Sequence, residues 1–159
     1  MHRLVWYDTN INISYGREQM KRKVYFAGSI RGGRADASVY ALMIRRIQET
    51  DIVLTEHVGD LAISVMEQGR SSDAAIYEQD TAWLRECDLV IAECTNPSLG
   101  VGYELAYAEH HNKPCYIFYR KAQTELSAML TGNPYYHICS YDTQEELLSQ
   151  LSKVLEQQI

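Results

Sequence analysis

The sequence predicts an α/β domain built on a five-stranded parallel sheet with helices on both faces. Three observations predict it. Runs rich in β-formers alternate with stretches of helical period, the pattern of repeated strand-helix-strand units. The central run "LVIAEC" is almost wholly apolar, as a strand is when both faces of a parallel sheet are covered. The unusual loops, Ser29 to Gly33, Glu56 with His57, and Thr95 to Glu104, all follow strands, which puts them outside the carboxyl edge where such sheets bind ligands.

Residues 1 to 22 mix "NINISYG" with a basic "KRK" and show no clear period. They read as an N-terminal extension, an added strand or an arm, ahead of a domain spanning 23 to 159. "KVYFAG" is the first strand and ends at glycine, and "SIRGGR" is the loop after it. "ASVYALMIRRIQET" places Val39, Leu42, Met43 and Ile47 at helical spacing. "DIVLTEHV" reads as a second strand, followed by an irregular segment and a helix running to about Arg85. "LVIAEC" is the third strand, and the turn "TNPSLGVG" leads into a helix through about His111. Pro114 precedes a fourth strand, "CYIFYR"; "TELSAML" suggests a short helix and "YHICSY" a fifth strand. "TQEELLSQLSKVLEQQ" closes the chain as an amphipathic helix capped near Asp142 or Thr143.

Composition narrows the function. With 159 residues, 46% hydrophobic and 23% charged, the chain has the make-up of one ordinary folded domain. A net charge of -6 offers no diffuse basic field for polymeric nucleic acid, although a small anion needs only local donors. The apolar runs are far shorter than the roughly 20 residues of a membrane helix, and "MHRLVWYDTN" lacks the apolar centre of a signal peptide, so no membrane partner and an intracellular location are expected. Cys87, Cys94, Cys115 and Cys139 form no CxxC pair and read as reduced core thiols. His110 and His111 are adjacent, so they do not share a helix face as a two-histidine metal site requires.

The loops carry the chemistry. "GSIRGGR" combines backbone amides freed by Gly28, Gly32 and Gly33 with the Ser29 hydroxyl and two arginines, and it opens a helix. That set suits a phosphate. The loop matches neither a Walker sequence nor GxGxxG, and a plain turn stays open beside the phosphate reading. In "PSLGVGYEL", Ser98 offers a hydroxyl to the same anion, while Gly100 and Gly102 let a ligand approach the backbone. Glu104 is expected within the first helical turn, where the helix dipole favours its ionised form. It reads either as a nucleophile or base beside a pocket, or as a solvent-facing glutamate. Asp80 in "YEQDTAWL" is a second carboxylate able to reach this edge, with Glu78 and Glu86 as alternatives. Two carboxylates in different environments are the minimum set for cleaving a glycosidic bond.

Taken in order, "YFAGSIRGGR", "VLTEHV", "YEQDTAWL", "DLVIAECTNPSLGVGYELAYA" and "LSAML" resemble the 2'-deoxynucleoside 5'-phosphate N-hydrolases, the Rcl family of the nucleoside 2-deoxyribosyltransferase superfamily. The resemblance runs from about Lys23 to the C-terminus and makes 23 to 159 the catalytic domain. It implies a Rossmann-like or flavodoxin-like sheet, a homodimer whose subunits complete each other's sites, and hydrolysis of 2'-deoxynucleoside 5'-monophosphates to free base and 2-deoxyribose 5-phosphate. By motif it makes Glu104 the nucleophile, Asp80 the acid that assists base departure, and Tyr25 the phenol that orients Glu104. Ser29, Ile30, Arg31, Gly33, Ser98 and Gly100, beside Gly28, would cradle the 5'-phosphate. His57 would border the base, and Ser127 would reach the neighbouring subunit's phosphate. Location would be cytoplasmic, or nuclear in a eukaryote. No metal or redox cofactor is implied.

The related transferases carry an acidic residue six positions before the nucleophile to hold the sugar's 5'-hydroxyl, and Ser98 stands at that position here. A carboxylate there would repel a phosphate dianion, whereas a hydroxyl donates to it. Ser98 therefore favours a nucleotide over a nucleoside. The alternatives are a deoxyribosyltransferase, an N-hydrolase of ribonucleotides such as CMP, and a nucleotide-binding module without turnover.

Overall fold

The computed structural model describes residues 20–30, 36–59 and 72–157. Five parallel strands form one sheet: β1 (Lys23–Gly28), β2 (Ile52–Val53), β3 (Leu89–Glu93), β4 (Cys115–Arg120) and β5 (His137–Tyr141), in the order β2-β1-β3-β4-β5. The helices are α1 (Ala37–Gln48), α2 (Asp73–Glu86), α3 (Leu99–His110), α4 (Ala128–Thr131) and α5 (Gln144–Leu155). The expected α/β doubly wound sheet is therefore present, and its strand order reverses direction between β1 and β3.

Period-two alternation sorts each strand's side chains between two cores. Val24 and Phe26 of β1, Leu89 and Ile91 of β3, and Tyr116 and Phe118 of β4 face α1 and α5. Tyr25 and Ala27, Val90 and Ala92, and Cys115 and Ile117 face α2 and α3. This parity puts Tyr25 on the Glu104 side; a one-residue slip would present Phe26 there instead. Three cysteines are buried and Cys139 is half-buried, all as free thiols, as their sequence setting suggested.

The second strand differs from expectation. "DIVLTEHV" contributes only Ile52 and Val53 to the ladder before the chain turns into a short 3-10 helix, Glu56–Gly59. The cause is Thr55. Its buried hydroxyl accepts from the Phe26 amide at 2.9 Å and donates to the Phe26 carbonyl at 2.7 Å. One side chain thus supplies β1 with the bonds a longer β2 would have made. The turn it allows is what brings His57 over the sheet's carboxyl edge.

At the other end, Arg22 bonds Asp51 at 2.8 and 3.1 Å and donates to the carbonyls of Leu155 and Gln157. Thr143 is the α5 cap, its hydroxyl accepting from the Glu146 amide. Asn112, in the left-handed conformation at φ 56°, follows the last residues of α3.

Candidate active site

A cavity of about 940 Å³ opens outside the carboxyl ends of β1 and β3, where the strand order reverses. Gly28 and Ile30 line it from the end of β1, His57 from the 3-10 turn, Asp80 from α2, and Ser98, Gly100 and Glu104 from the start of α3. Seven positions that pattern and resemblance together had singled out thus meet in one place. Arg31 and Gly33 lie outside the described residues.

Glu104 is held from below. The Tyr25 hydroxyl donates to Glu104 Oε1 at 2.8 Å, and Tyr25 itself is only 2% exposed. Burial pushes the Glu104 carboxyl up from 4.5 to about 8; the Tyr25 hydrogen bond pulls it down, and the nearby Asp80 charge raises it further. Burial likewise raises Asp80, partly offset by His57.

This corrects the sequence reading of Glu104. The helix starts at Leu99, with the Ser98 hydroxyl accepting from the Val101 amide at 3.4 Å as its N-cap, and its first turn holds no acidic residue. Glu104 therefore sits in the second turn, where the unpaired amides no longer act. Burial outweighs the helix dipole, and the carboxyl is pushed up, not down, from its ordinary value.

The two glycines of this turn separate. Gly100 lines the cavity, while Gly102 is exposed, does not line it, and has nothing within 4 Å of the position its Cβ would occupy. Gly28 is needed for a different reason: a Cβ there would sit 3.0 to 3.2 Å from the Tyr40 ring. Ser29 is fully buried, and its hydroxyl has no hydrogen-bond partner among the described residues. Ser127 does not line the cavity. It caps the four-residue α4, accepting from the Met129 amide beside a 79% exposed Met129 side chain.

Sequence reasoning missed the apolar wall. Ile76 and Trp83 line the cavity with Asp80, and the Trp83 ring lies 6.0 Å from that of His57, tilted by 37°. The signal was available: positions 73, 76, 80 and 83 follow helical spacing, so placing Asp80 on the cavity places Ile76 and Trp83 there too. An apolar wall beside convergent polar groups is the usual make-up of a small-molecule site. The Tyr25-held Glu104 carboxyl and Asp80, lining one cavity, equip it for displacement at a sugar carbon.

Comparison with known proteins agrees with this geometry. The family model described as nucleoside 2-deoxyribosyltransferase matches residues 24–149. A Nematostella vectensis protein, named provisionally as 2'-deoxynucleoside 5'-phosphate N-hydrolase 1, is 49% identical over 116 residues, covering 72% of this chain and 79% of that one. The 5-hydroxymethyl-dUMP N-hydrolase of Rattus norvegicus is 46% identical over 117 residues, 72% of each chain. Among solved structures, the CMP N-glycosidase of Clostridium botulinum shares the fold with a TM-score of 0.58 at 19% identity, covering 84% of this chain and 99% of that one.

Proposed function

The chain belongs to the nucleoside 2-deoxyribosyltransferase family, and on that premise we propose that it hydrolyses the N-glycosidic bond of 2'-deoxynucleoside 5'-monophosphates. The observation that carries the proposal is Glu104, set in the cavity with Oε1 engaged by Tyr25 and with Asp80 on the same wall system. Residues 23 to 159 form the catalytic domain and residues 1 to 22 an extension to it.

The chemistry follows from that placement. Glu104 Oε2, left free by Tyr25, attacks the anomeric carbon as a carboxylate. The C1'–N bond breaks, its electron pair goes to the base, and Asp80 supplies a proton to the departing nitrogen. The result is a deoxyribosyl ester on Glu104. Water then attacks C1', Asp80 takes its proton, and 2-deoxyribose 5-phosphate leaves as the Glu104 carboxylate is regenerated. Trp83, Ile76 and His57 provide the surface on which the base lies, and the relatives' names make 5-hydroxymethyl-dUMP a first candidate substrate.

Phosphate recognition falls to the two loops. As the α3 cap, Ser98 accepts through its oxygen and keeps its own proton for an anion. Gly28, Ser29, Ile30, Arg31 and Gly33 complete the cradle with Gly100. The Ser127 hydroxyl, which does not line its own cavity, serves the partner subunit of a homodimer. Because a hydroxyl at position 98 suits phosphate, the nucleotide is preferred to the nucleoside. No helix among the described residues is long and apolar enough to cross a membrane, and the cytoplasm is the proposed location.

The test is chromatography of dGMP, dCMP, 5-hydroxymethyl-dUMP, CMP and deoxyguanosine after incubation, with Glu104→Gln alongside. Free base from the deoxynucleotides, lost in the variant, supports the reading; reaction of deoxyguanosine alone overturns it. The family model's description keeps a transferase as the second reading, and exchanged nucleotide on adding a second base would establish that one.

A further inference from the structure

A buried polar network that takes no part in the chemistry above ties the sheet's carboxyl edge together. Asp36, the residue just before α1, is 6% exposed and uses both oxygens: Oδ2 accepts from Asn96 Nδ2 at 2.7 Å, and Oδ1 is ion-paired with Arg120. The Arg120 amide donates to Thr95 Oγ1 at 3.0 Å, and Thr95 Oγ1 donates in turn to Glu93. Tyr141 closes the network, donating to Glu93 Oε1 at 2.9 Å. The start of α1, the turn after β3 and the ends of β4 and β5 are thereby joined through side chains.

Asn96, half-buried, stands at one end of this network and two residues before Ser98. The link between them is stiff. Pro97 fixes its own φ and confines Asn96 to extended backbone, so the position of the Asn96 side chain is passed on to Ser98 with little slack. An asparagine that needed only a turn would have no reason to spend its amide on a buried carboxylate that is already ion-paired.

We propose that Asp36, Asn96 and Arg120 are positioning residues, whose hydrogen bond and ion pair hold the Pro97–Ser98 turn against the start of α1 and so fix where the substrate's phosphate lies relative to Glu104. The inference rests on the phosphate-binding role given to Ser98 above. It assigns none of the three to the chemical step. It therefore separates binding from turnover.

The experiment compares Asn96→Asp, Asn96→Ala and the exchange Asp36→Asn with Asn96→Asp. Affinity for 2-deoxyribose 5-phosphate is read by calorimetry, and KM and kcat are read with 5-hydroxymethyl-dUMP. Asn96→Asp sets two carboxylates against each other, and Asn96→Ala removes the donor. Each should weaken sugar-phosphate binding about tenfold and raise KM alike, with kcat within about threefold of the parent. The exchange restores one donor facing one acceptor between positions 36 and 96 but gives up the Asp36–Arg120 ion pair, so it should bind better than Asn96→Asp while staying below the parent. Unchanged binding in Asn96→Ala overturns the proposal, as does an exchange variant that melts like the parent yet binds no better than Asn96→Asp. Should the parent bind the sugar phosphate without releasing base, the hydrolase reading fails while the affinity comparison still decides the clamp. A parent that releases base yet binds no sugar phosphate overturns the clamp and leaves the hydrolase reading standing.

Discussion

At Glu104 the proposed nucleophile and a stable fold oppose each other. Below pH 4.5 the folded and unfolded chains both carry it protonated, and its burial costs nothing. As pH rises from 4.5 to about 8 the unfolded chain ionises while the folded one resists, so stability falls through that window. Glu104→Gln should therefore melt with the parent at pH 4 to 4.5 and clearly above it at pH 8 to 9, read by calorimetry across pH. On the proposed mechanism the same group sets the acid limb of kcat/KM. Tyr25→Phe removes a bond that lowers the Glu104 pKa, so that limb moves to higher pH, and kcat/KM at pH 7 falls roughly 10- to 100-fold from loss of a bond to a charged group. Asp80→Asn removes a charge that raises it, so its residual activity should show the limb at lower pH. A pH-rate series on the three proteins checks all these directions.

Among the elements, α3 does two tasks, and its glycines divide them. Gly102 faces outward with open space around it, so Gly102→Ala should stabilise the protein by about 0.5 to 1 kcal/mol through helix propensity and leave substrate affinity unchanged. Gly100→Ala adds a methyl to the cavity wall and should raise KM. Gly59, closing the turn that carries His57, has no such room: a Cβ would meet Ile44 Cδ1 at 2.8 Å and the Ala41 backbone at 3.1 Å. Backbone does not yield as a side-chain end does, so Gly59→Ala should cost about 1 to 3 kcal/mol and disturb the base side of the site. Thermal melts and steady-state kinetics on the three variants separate these outcomes.

Across the whole molecule, two polar systems tie distant segments. One is the carboxyl-edge network around Asp36 and Glu93, beside the site. The other is Arg22, which joins the chain ahead of β1 to Asp51 and to the end of α5, on the opposite edge. Arg22→Ala leaves the Asp51 carboxylate buried without its partner and should cost about 2 kcal/mol, a fall of roughly 5 °C in melting temperature for a domain this size. Because this edge is remote from the cavity, kcat should stay as it was. The proposed homodimer belongs to this scale too. Sedimentation should show two subunits, and Ser127→Ala should raise KM for the nucleotide without changing its own subunit's fold.

The sheet was legible in the chain because its signals are local. Strand-helix alternation, the apolar run at β3 and the period of α1 and α5 each depend on neighbours in sequence, and β1 and β4 fall where the pattern put them. Loop composition and order likewise marked Ser98, Gly100 and Glu104 as one edge, while Asp80 stood beside Glu78 and Glu86 until the resemblance singled it out. Contacts between distant segments were not legible. Thr55 ended β2 early by pairing with Phe26, 29 residues away in sequence, and Asn96 found Asp36 across 60. The protonation of Glu104 is of the same kind. Sequence sets which residue can ionise and which helix carries it, but burial, the Tyr25 hydrogen bond and the Asp80 charge set its pKa, and only the folded sheet brings these around it.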